Sequence, residues 1–396
     1  MSALGFLVDE LATLELRGER RTLRTVDNLT PPSAIVDGRQ VLSFASNDYL
    51  GLSVHPALRD AARLSLGAFG VGSASSRLIA GNLQPHRQLE NQLAAFHGAP
   101  AALLFNSGYH ANVGLLSALA GPDDAIFSDA NNHASIVDGA RLSKAQTKIY
   151  GHCDTGALAS LLAATQARRR FLVSESLFSM DGTIAPLAEL RALADRYHAV
   201  LIVDEAHAIG AIGPAGRGAA ASTGVRPDIL VATLGKSLAT FGAYVAGPRT
   251  LVDYLINRAR SFVFTTALPP TIPAAAMASL ALVSSHLGDT LRNTLRQRVN
   301  QFTNGLASLG LLARQHTESP IFPVLIGDNA ATMHAAQTLL DLGIFAQGIR
   351  PPTVAPGTAR LRFSLSASHA PEHIDRALDG LSILQRHSLI PQKHRL

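Results

Sequence analysis

The sequence predicts an α/β protein with a large domain on a mostly parallel sheet, a small α+β C-terminal domain and an N-terminal helical segment. Three observations support this fold class. From about residue 85 to 250, short apolar runs alternate with helical stretches, as in proteins with parallel sheets. Beyond about residue 315 a separate set of strands and helices follows. The 396 residues, 47% of them hydrophobic, can bury a large core and suggest two to three domains.

Residues 1 to about 25 are predicted to form an amphipathic helix, because apolar side chains recur near helical spacing. These side chains are Leu4, Leu7, Val8, Leu11, Leu14 and Leu16. Val41–Phe44 is predicted as a short strand. We therefore expect an N-terminal segment at residues 1–45, a large domain at 46–285 and a small C-terminal domain at 286–396.

Six apolar runs in the middle of the chain are predicted strands of the large domain. They are Ala101–Phe105, Ala125–Phe127, Phe171–Val173, Val200–Val203, Ile229–Val231 and Ala243–Ala246. His86–His97 and Ile184–Tyr197 are predicted helices between them. This alternation predicts a parallel sheet with crossover helices.

The C-terminal part is predicted to follow helical segments near residues 269–312. Its predicted strands are Ile321–Ile326, Phe345–Gln347 and Leu361–Leu365. Its predicted helices are Ala330–Leu342 and Pro371–Arg386. This mixture is typical of a small α+β domain.

The net charge of +5 and the pI of about 9.6 raise the question of a nucleic-acid partner. The basic residues are scattered, only the short tail Arg386–Leu396 is locally basic, and the chain has no Trp, so no such partner is expected. The positive surplus also suits an anionic small molecule, such as a phosphate cofactor or a coenzyme A thioester.

Neither membrane insertion nor secretion is expected. The longest weakly polar stretch, Ile272–Ser285, is shorter than the roughly 20 residues that a bilayer span needs. The N-terminus lacks a basic start and turns acidic at Asp9, unlike a signal peptide. The single cysteine, Cys153, cannot form an internal disulfide, which fits a reducing cytoplasm.

Lys236, Asp204 and His207 are the most informative chemical groups. The apolar run Ala199–Val203 ends in Asp204, with His207 in the turn after it, and Lys236 follows the next predicted strand. Such strand ends are where α/β sheets bind ligands, although a lysine there also suits a surface helix start. A lysine can hold pyridoxal 5'-phosphate (PLP) as a Schiff base, an acid can keep its pyridine nitrogen protonated, and a histidine can bond its ring oxygen. We therefore predict PLP chemistry.

Three further places each allow two interpretations. Gly108 and Tyr109 follow a predicted strand, where N–H groups at a helix start can bind phosphate, although many strand-to-helix turns look alike. His133 suits either a helix cap or a flat ring stacked on a cofactor. Arg362 shares a strand face with Arg360 and suits either solvated charges or a grip on an amino acid's carboxylate.

Several motifs together resemble those of the α-oxoamine synthases, which are fold-type I PLP enzymes of the aspartate aminotransferase superfamily. The shared motifs are Asn47–Leu52, Gly72–Gly81, Asn132–Ser135, Phe178–Gly182, Asp204–His207 and Thr233–Lys236. The resemblance covers about residues 20–385 and implies the PLP-dependent transferase fold type I. The lysine and acid motifs are shared across the family, so they identify the family and not a member.

The resemblance implies a role for each candidate residue. Lys236 carries PLP, Asp204 meets its pyridine nitrogen, and His133 stacks on its ring; with His207 these are the catalytic candidates. Further cofactor contacts are assigned to Gly108, Tyr109, Ser179, His207, Thr233 and Thr266, of which Thr266 reaches the phosphate of the partner subunit in a homodimer. Substrate contacts are assigned to Arg21, Asn47, Thr353 and Arg362, with Arg21 and Thr353 at the acyl group and Arg362 at the amino-acid carboxylate. Ser179 by itself looks like an ordinary turn serine, and no metal ion is part of this assignment.

Within the family, Ile349–Arg362 most resembles members that condense L-alanine with pimeloyl-CoA or pimeloyl-acyl carrier protein in biotin biosynthesis. Its specific pieces are Pro351–Val354 and Gly357–Arg362. The implied reaction is a decarboxylative condensation in which Lys236 removes the Cα proton of alanine. The alternatives are a relative such as glycine C-acetyltransferase and a non-catalytic PLP-binding protein. The loops at Ala208–Gly210 and Ser237–Gly242 depart from common family forms without removing a chemical group.

Overall fold

The computed structural model describes residues 3–312 and 318–390, without the side chains of residues 28 and 29. The predicted basic tail Arg386–Leu396 therefore lies outside the described residues from residue 391 onward. The chain forms two compact units. The first comprises Met1–Tyr49, Met180–Gly182 and Asn293–Leu396, and the second comprises Leu50–Ser179 and Thr183–Arg292.

The strands in chain order are β1 (Val26–Thr30), β2 (Ser33–Val36), β3 (Arg39–Ser43), β4 (Ala101–Phe105), β5 (Ala125–Asp129), β6 (Gln146–Tyr150), β7 (Arg170–Glu175), β8 (Ala199–Asp204), β9 (Ile229–Thr233), β10 (Ala243–Gly247), β11 (Ile321–Gly327), β12 (Ile344–Phe345), β13 (Gln347–Ile349) and β14 (Ala359–Ser364). The helices are α1 (Phe6–Leu16), α2 (Pro56–Phe69), α3 (Gln84–His97), α4 (Gly108–Leu119), α5 (Ala134–Ser143), α6 (Thr155–Ala164), α7 (Leu187–Arg196), α8 (Ala219–Ser222), α9 (Arg249–Arg258), α10 (Arg260–Val263), α11 (Thr271–Val283), α12 (His286–Leu309), α13 (Asn329–Asp341) and α14 (Pro371–Arg386).

The second unit contains a seven-stranded sheet in the order β4-β10-β9-β8-β7-β5-β6. Neighbouring strands from β9 to β6 run parallel, whereas β10 is antiparallel to both β4 and β9. Every residue of β4, β5, β9 and β10 is buried, as in sheets that are covered on both faces. The parallel direction brings the carboxyl ends of β5, β7, β8 and β9 to one edge of the sheet.

Helices α4 and α5 pack closely in the second unit, and Gly139 on α5 allows this contact. A Cβ at Gly139 would lie 2.9 Å from the Asn112 carbonyl oxygen and 3.2 Å from Leu116 Cβ. Both neighbours are buried parts of α4. The side chain of Asn112 belongs to the site described below, so this helix contact also fixes a residue of the site.

We expect Gly139→Ala to lower the free energy of unfolding by about 1–3 kcal/mol, because the added methyl group overpacks a contact with backbone. Gly67 on α2 is a matched control, since a Cβ there meets nothing within 4 Å. Gly67→Ala is expected to raise stability by up to about 1 kcal/mol through helix propensity. Urea unfolding of both variants checks this, and an equal gain from both substitutions contradicts the packing account.

The first unit contains two small sheets, in the orders β1-β2-β3-β12 and β11-β14-β13. Four buried rings pack in its core, with centroid separations of 5.9, 5.0 and 5.4 Å for the three contacting pairs. The rings are those of Phe44, Phe302, Phe322 and Phe363. Phe363 lies on β14, so this core supports the strand that carries Arg360 and Arg362.

The predicted α/β class with a mostly parallel sheet is confirmed. The sequence does not predict β1, β2 or β6; β6 is a sheet-edge strand with mostly exposed side chains, so it lacks an apolar run. Phe345–Gln347 is predicted as one strand, but β12 pairs with β3 and β13 pairs with β14, so the chain changes sheets at Ala346. The helical stretch predicted near 269–312 is divided between α11 and α12.

The N-terminal helix is shorter than predicted, at Phe6–Leu16, and none of its residues is buried. The first compact unit groups residues 1–49 with the C-terminal part of the chain. The division into segments 1–45, 46–285 and 286–396 remains a prediction about domains. Among the described helices, none alone has the length and apolar composition to span a membrane, although α11 and α12, bent by 74° at their junction, pass that test as a pair.

Candidate active site

The carboxyl ends of β7, β8 and β9 form the candidate active site in the second unit. Glu175, the last residue of β7, lies opposite Asp204, the last residue of β8, in the parallel register. Both acids are buried, with exposed fractions of 3% for Glu175 and 6% for Asp204. Thr233 ends β9, and Lys236 follows in the turn toward β10. Two buried carboxyl groups therefore lie side by side at the predicted edge.

Asp204 accepts hydrogen bonds on both carboxylate oxygens. Asn112 Nδ2 donates to Oδ2 at 2.8 Å, and the Ala206 N–H donates to Oδ1 at 2.9 Å. The Asn112 amide, itself buried, also donates to Ser135 Oγ at 3.0 Å. These donors are neutral, so they orient the carboxylate without cancelling its charge. A buried carboxylate of this kind suits a cationic partner such as a protonated pyridine nitrogen.

Glu175 has a different environment. Its Oε1 accepts a hydrogen bond from the His133 N–H at 2.6 Å. Burial raises the pKa of Glu175 to about 8; the adjacent Asp204 charge acts in the same direction and the Lys236 charge opposes it. Glu175 therefore binds a proton near neutral pH and does not compete with Asp204 for a cation.

The raised pKa of Glu175 predicts a pH-dependent stability. Between the ordinary glutamate pKa of about 4.3 and the raised value of about 8, the unfolded chain has lost this proton while the folded chain keeps it. The free energy of unfolding therefore falls as pH rises through this range, and the loss is complete above it. We expect Glu175→Gln, which mimics the protonated acid, to flatten that decline in cofactor-free protein. Denaturant unfolding from about pH 5 to about pH 9 tests this, and parallel pH profiles of the two proteins contradict it.

His133 is the N-cap of α5. Its Nδ1 accepts a hydrogen bond from the Ser135 N–H at 3.2 Å and lies 2.8 Å from Ser135 Oγ. Partial burial lowers the pKa of His133 below its ordinary value; the Asp204 charge opposes this and the Lys236 charge adds to it. The helix-capping interpretation is confirmed, while stacking of this ring on a cofactor remains a prediction.

The turn between β9 and β10 is held by the side chain of Thr233. Its Oγ1 donates to the Gly242 carbonyl at 2.9 Å and accepts from the Gly235 N–H at 3.2 Å. Lys236 lies half-buried in this turn, and its charge acts on the pKa of His133. The structure therefore places Lys236, Asp204 and His133 close enough for their charges to interact.

The start of α4 provides backbone donors at the same edge of the sheet, directly after β4. Ser107 caps the helix by accepting a hydrogen bond from the His110 N–H at 3.2 Å. Gly108, the first helical residue, has open space at its Cβ position. The hydroxyl of Tyr109 donates to Asp138 Oδ2 at 2.7 Å. First-turn N–H groups lack intrahelical partners and bind phosphate well.

The other predicted cofactor contacts differ in exposure. His207, in the turn after Asp204, and Ser179, beyond β7, are both buried. Thr266 is exposed, and its carbonyl accepts a hydrogen bond from Asn106 Nδ2 at 2.9 Å. Its contact with a partner subunit's phosphate remains a prediction.

In the first unit, Arg362 Nη2 donates to Asn47 Oδ1 at 3.1 Å, and the Tyr49 hydroxyl donates to the same oxygen at 3.2 Å. Arg360 forms an ion pair with Asp181 at 2.5 Å. Both arginines are buried on β14, the central strand of its sheet. The alternative that they are solvated edge charges is therefore wrong.

Arg21 and Thr353, the predicted acyl contacts, are hydrogen-bonded to each other in the first unit. Arg21 Nη2 donates to Thr353 Oγ1 and to the Pro351 carbonyl, each at 3.2 Å. Both side chains line a cavity of about 300 Å³. Its other apolar and cationic lining residues include Leu23, Arg24, Val26, Met333, Phe345 and Arg350. Such a lining suits a methylene chain that ends in an anion.

The residues of the second unit fit PLP. A buried carboxylate with neutral donors, a half-buried lysine and an uncrowded helix start match the cofactor's pyridine nitrogen, aldehyde and phosphate. Asn112, Ser135 and Glu175 also belong to the site, although the sequence does not single them out. Ser135 lies inside the motif Asn132–Ser135, and Asn112 lies three residues after Tyr109, but their contact arises only when α4 packs on α5.

Comparison with known proteins first defines the class of protein to which this chain belongs. Residues 39–381 match the family of class I and II aminotransferases. Among curated relatives, the 8-amino-7-oxononanoate synthase of Anaeromyxobacter dehalogenans is 50% identical over 383 residues, which cover 96% of this chain and 95% of the relative. The chain belongs to the class I and II aminotransferases and, within them, to the 8-amino-7-oxononanoate synthase family.

Solved structures agree with this membership. A structure of SPT (serine palmitoyltransferase) with PLP has a TM-score of 0.92 and 30% identity, covering 98% of this chain and 100% of that one. The 8-amino-7-oxononanoate synthase of Francisella tularensis has a TM-score of 0.76 and 31% identity, covering 88% and 99%. The protein is a PLP-dependent transferase, and the predictions of fold type and cofactor are confirmed.

Proposed function

We propose that this enzyme condenses L-alanine with a pimeloyl thioester, on CoA or on acyl carrier protein, to form 8-amino-7-oxononanoate, CO₂ and the free thiol. The observation that carries the proposal is that the parallel strands β8 and β9 bring the buried Asp204 and the turn with Lys236 to one edge of the sheet, in a chain 50% identical to an 8-amino-7-oxononanoate synthase. Bound PLP supplies the electron sink that stabilises negative charge at the alanine Cα.

The second unit supplies the cofactor-binding and proton-transfer groups. Lys236 would hold the cofactor, and its amine would take the Cα proton of alanine. Asp204, oriented by Asn112, keeps the pyridine nitrogen protonated. His133 would contact the cofactor ring and would help to polarise the reacting carbonyl. The remaining contacts, to the ring oxygen or the phosphate, come from Gly108, Tyr109, Ser179, His207, Thr233 and, from the partner subunit, Thr266.

The first unit supplies the substrate contacts. The guanidinium of Arg362, steadied by Asn47, binds the carboxylate of alanine. The cavity that Arg21 and Thr353 line takes the pimeloyl chain, because its apolar walls suit methylene groups and its arginines suit the terminal carboxylate.

We also propose a homodimer that works in the cytoplasm, without nucleic-acid or membrane partners. The second unit exposes several large apolar side chains, which is typical of an interface. These are Val71, Ile79, Phe241 and Phe264. The lone Cys153 fits a reducing compartment.

Arg362→Lys is expected to raise KM for L-alanine by at least about tenfold with a smaller change in kcat. The reason is that a lysine cannot bind a carboxylate through two parallel hydrogen bonds. Arg39→Lys, an exposed arginine of the same unit, is the matched control. Steady-state kinetics with alanine as the varied substrate measure the effect. A KM for alanine that stays at the wild-type value removes Arg362 from the substrate site.

The proposed function is tested by thiol release from pimeloyl-CoA with PLP-loaded protein, with L-alanine and glycine in parallel. Release with alanine and little with glycine is the expected result. Release only with glycine, or only from acetyl-CoA, refutes the proposed substrates. If neither pimeloyl-CoA nor acetyl-CoA supports thiol release, the assay is repeated with pimeloyl-acyl carrier protein. Thiol release then identifies acyl carrier protein as the carrier, and no release refutes the proposed activity.

A further inference from the structure

A second cluster of chemically active side chains lies in the second unit, at the ends of β5 and β6. Asp129 is the last residue of β5, and His152 and Cys153 follow β6, which pairs with β5 in parallel. One carboxylate oxygen, one imidazole nitrogen and one sulfur lie within 4.8 Å of one another. We propose that Asp129, His152 and Cys153 form a binding site for a divalent transition-metal ion of the zinc type.

The separations between the donor atoms suit one small cation. Asp129 Oδ1 lies 2.9 Å from His152 Nδ1, and Cys153 Sγ lies 3.8 Å from that nitrogen and 3.6 Å from His152 Nε2. Tetrahedral Zn²⁺, with bonds of about 2.0–2.3 Å, holds its ligand atoms roughly 3.3–3.8 Å apart. A slight opening of the Asp129–His152 contact therefore admits the ion between all three side chains, and water completes the fourth position.

The surroundings already orient these ligands. His152 Nε2 lies 2.7 Å from Thr183 Oγ1, so the ring can donate there while Nδ1 binds the ion, which is the usual arrangement of a metal-binding histidine. Asp129 Oδ2 accepts from the Cys153 N–H at 2.8 Å, and Phe178 packs edge-on against the His152 ring at 4.4 Å. Asp129 is buried, while His152 and Cys153 are half-buried and reachable from solvent.

The ligand types define the preferred ion, and the position of the site between β5 and β6 defines the effect of binding on stability. Thiolate and imidazole favour Zn²⁺ and similar ions, whereas Mg²⁺ and Ca²⁺ require oxygen ligands. None of the three residues is assigned to PLP or to a substrate. An ion here would tie β6, the outermost strand of the sheet, to β5, so binding should stabilise the folded chain.

The single cysteine makes the site directly observable. The ultraviolet charge-transfer band of a cadmium thiolate can arise only from Cys153. We expect PLP-loaded protein, freed of unbound PLP, to bind Cd²⁺ at this cysteine with a stoichiometry of one thiolate-bound ion per chain and a rise in unfolding temperature. Zn²⁺ should displace the Cd²⁺ and remove the band, whereas Mg²⁺ should not.

Two variants distinguish Cd²⁺ binding by the three-residue site from Cd²⁺ binding by a single thiol. Cys153→Ser combined with Ser308→Cys moves the thiol to an exposed position on α12 and should weaken Cd²⁺ binding at least about 100-fold. Thr183→Val keeps all three ligands but removes the partner of His152, and should weaken binding about tenfold. Absence of the band in the wild type, or equal affinity in the transplanted-cysteine variant, overturns the proposal.

Discussion

Lys236→Ala is expected to lower turnover at least about 1,000-fold, because one substitution removes both the proposed covalent anchor of PLP and the proposed base that takes the Cα proton. Asp204 and the start of α4 remain, so the variant should still bind PLP noncovalently. Its visible absorption should change from that of the lysine-bound cofactor to that of the free aldehyde. Absorption spectra and thiol release of the PLP-loaded variant measure both effects.

Lys148→Ala is the matched control for this change. Lys148 is a half-buried lysine on β6, outside the candidate site, and its loss removes the same charge. Spectrum and turnover should stay near those of the wild type. A Lys236→Ala variant that keeps the wild-type spectrum would show that another group holds the cofactor.

Asp204→Asn is expected to lower kcat by about 100- to 1,000-fold, because a neutral amide cannot hold the pyridine nitrogen protonated. The substitution is nearly isosteric, but both present neighbours donate to the carboxylate: the Asn112 amide and the Ala206 N–H. The new NH₂ group therefore faces one of these donors, and the site loses one of its two hydrogen bonds to residue 204. This loss should lower the free energy of unfolding by about 1–3 kcal/mol. Kinetics at saturating PLP and urea unfolding measure the two effects.

Glu205→Gln is the control for Asp204→Asn. Glu205 is the next residue and is also buried, yet it accepts its hydrogen bonds from Ser176 Oγ at 2.7 Å and from the N–H groups of Ala219 and Ala220 at 3.0 and 2.7 Å. We expect this change to lower stability and to leave kcat nearly intact. Equal losses of kcat in the two variants would mean that Asp204 acts only through folding.

The centre of the site could be predicted because its signals are local in the sequence. The runs that become β8 and β9 are apolar, and each is followed within a few residues by a group that parallel strands bring to one edge. Asp204 and Lys236 could thus be paired without knowing how the rest of the chain packs. The resemblance then assigned Arg362 and Asn47, which the structure joins by a hydrogen bond.

The supporting residues could not be predicted because their roles depend on tertiary packing. Asn112 reaches Asp204 only from α4, and Glu175 gains its proton only through burial beside Asp204. The polar edge strand β6 has no apolar pattern. For the same reason the Asp129–His152–Cys153 cluster becomes visible only when β5 and β6 pair.

Decarboxylative carbon–carbon bond formation determines the fate of the alanine carbons, so isotope labels on these carbons distinguish it from simple acyl transfer. PLP-loaded protein would be supplied with the pimeloyl thioester and L-alanine labelled with ¹³C either at the carboxyl or at the methyl carbon, with products identified by mass spectrometry. We expect 8-amino-7-oxononanoate that keeps the methyl label and has lost the carboxyl label as CO₂. An N-acylated alanine that keeps the label in both experiments would show simple acyl transfer to nitrogen and would refute decarboxylative condensation.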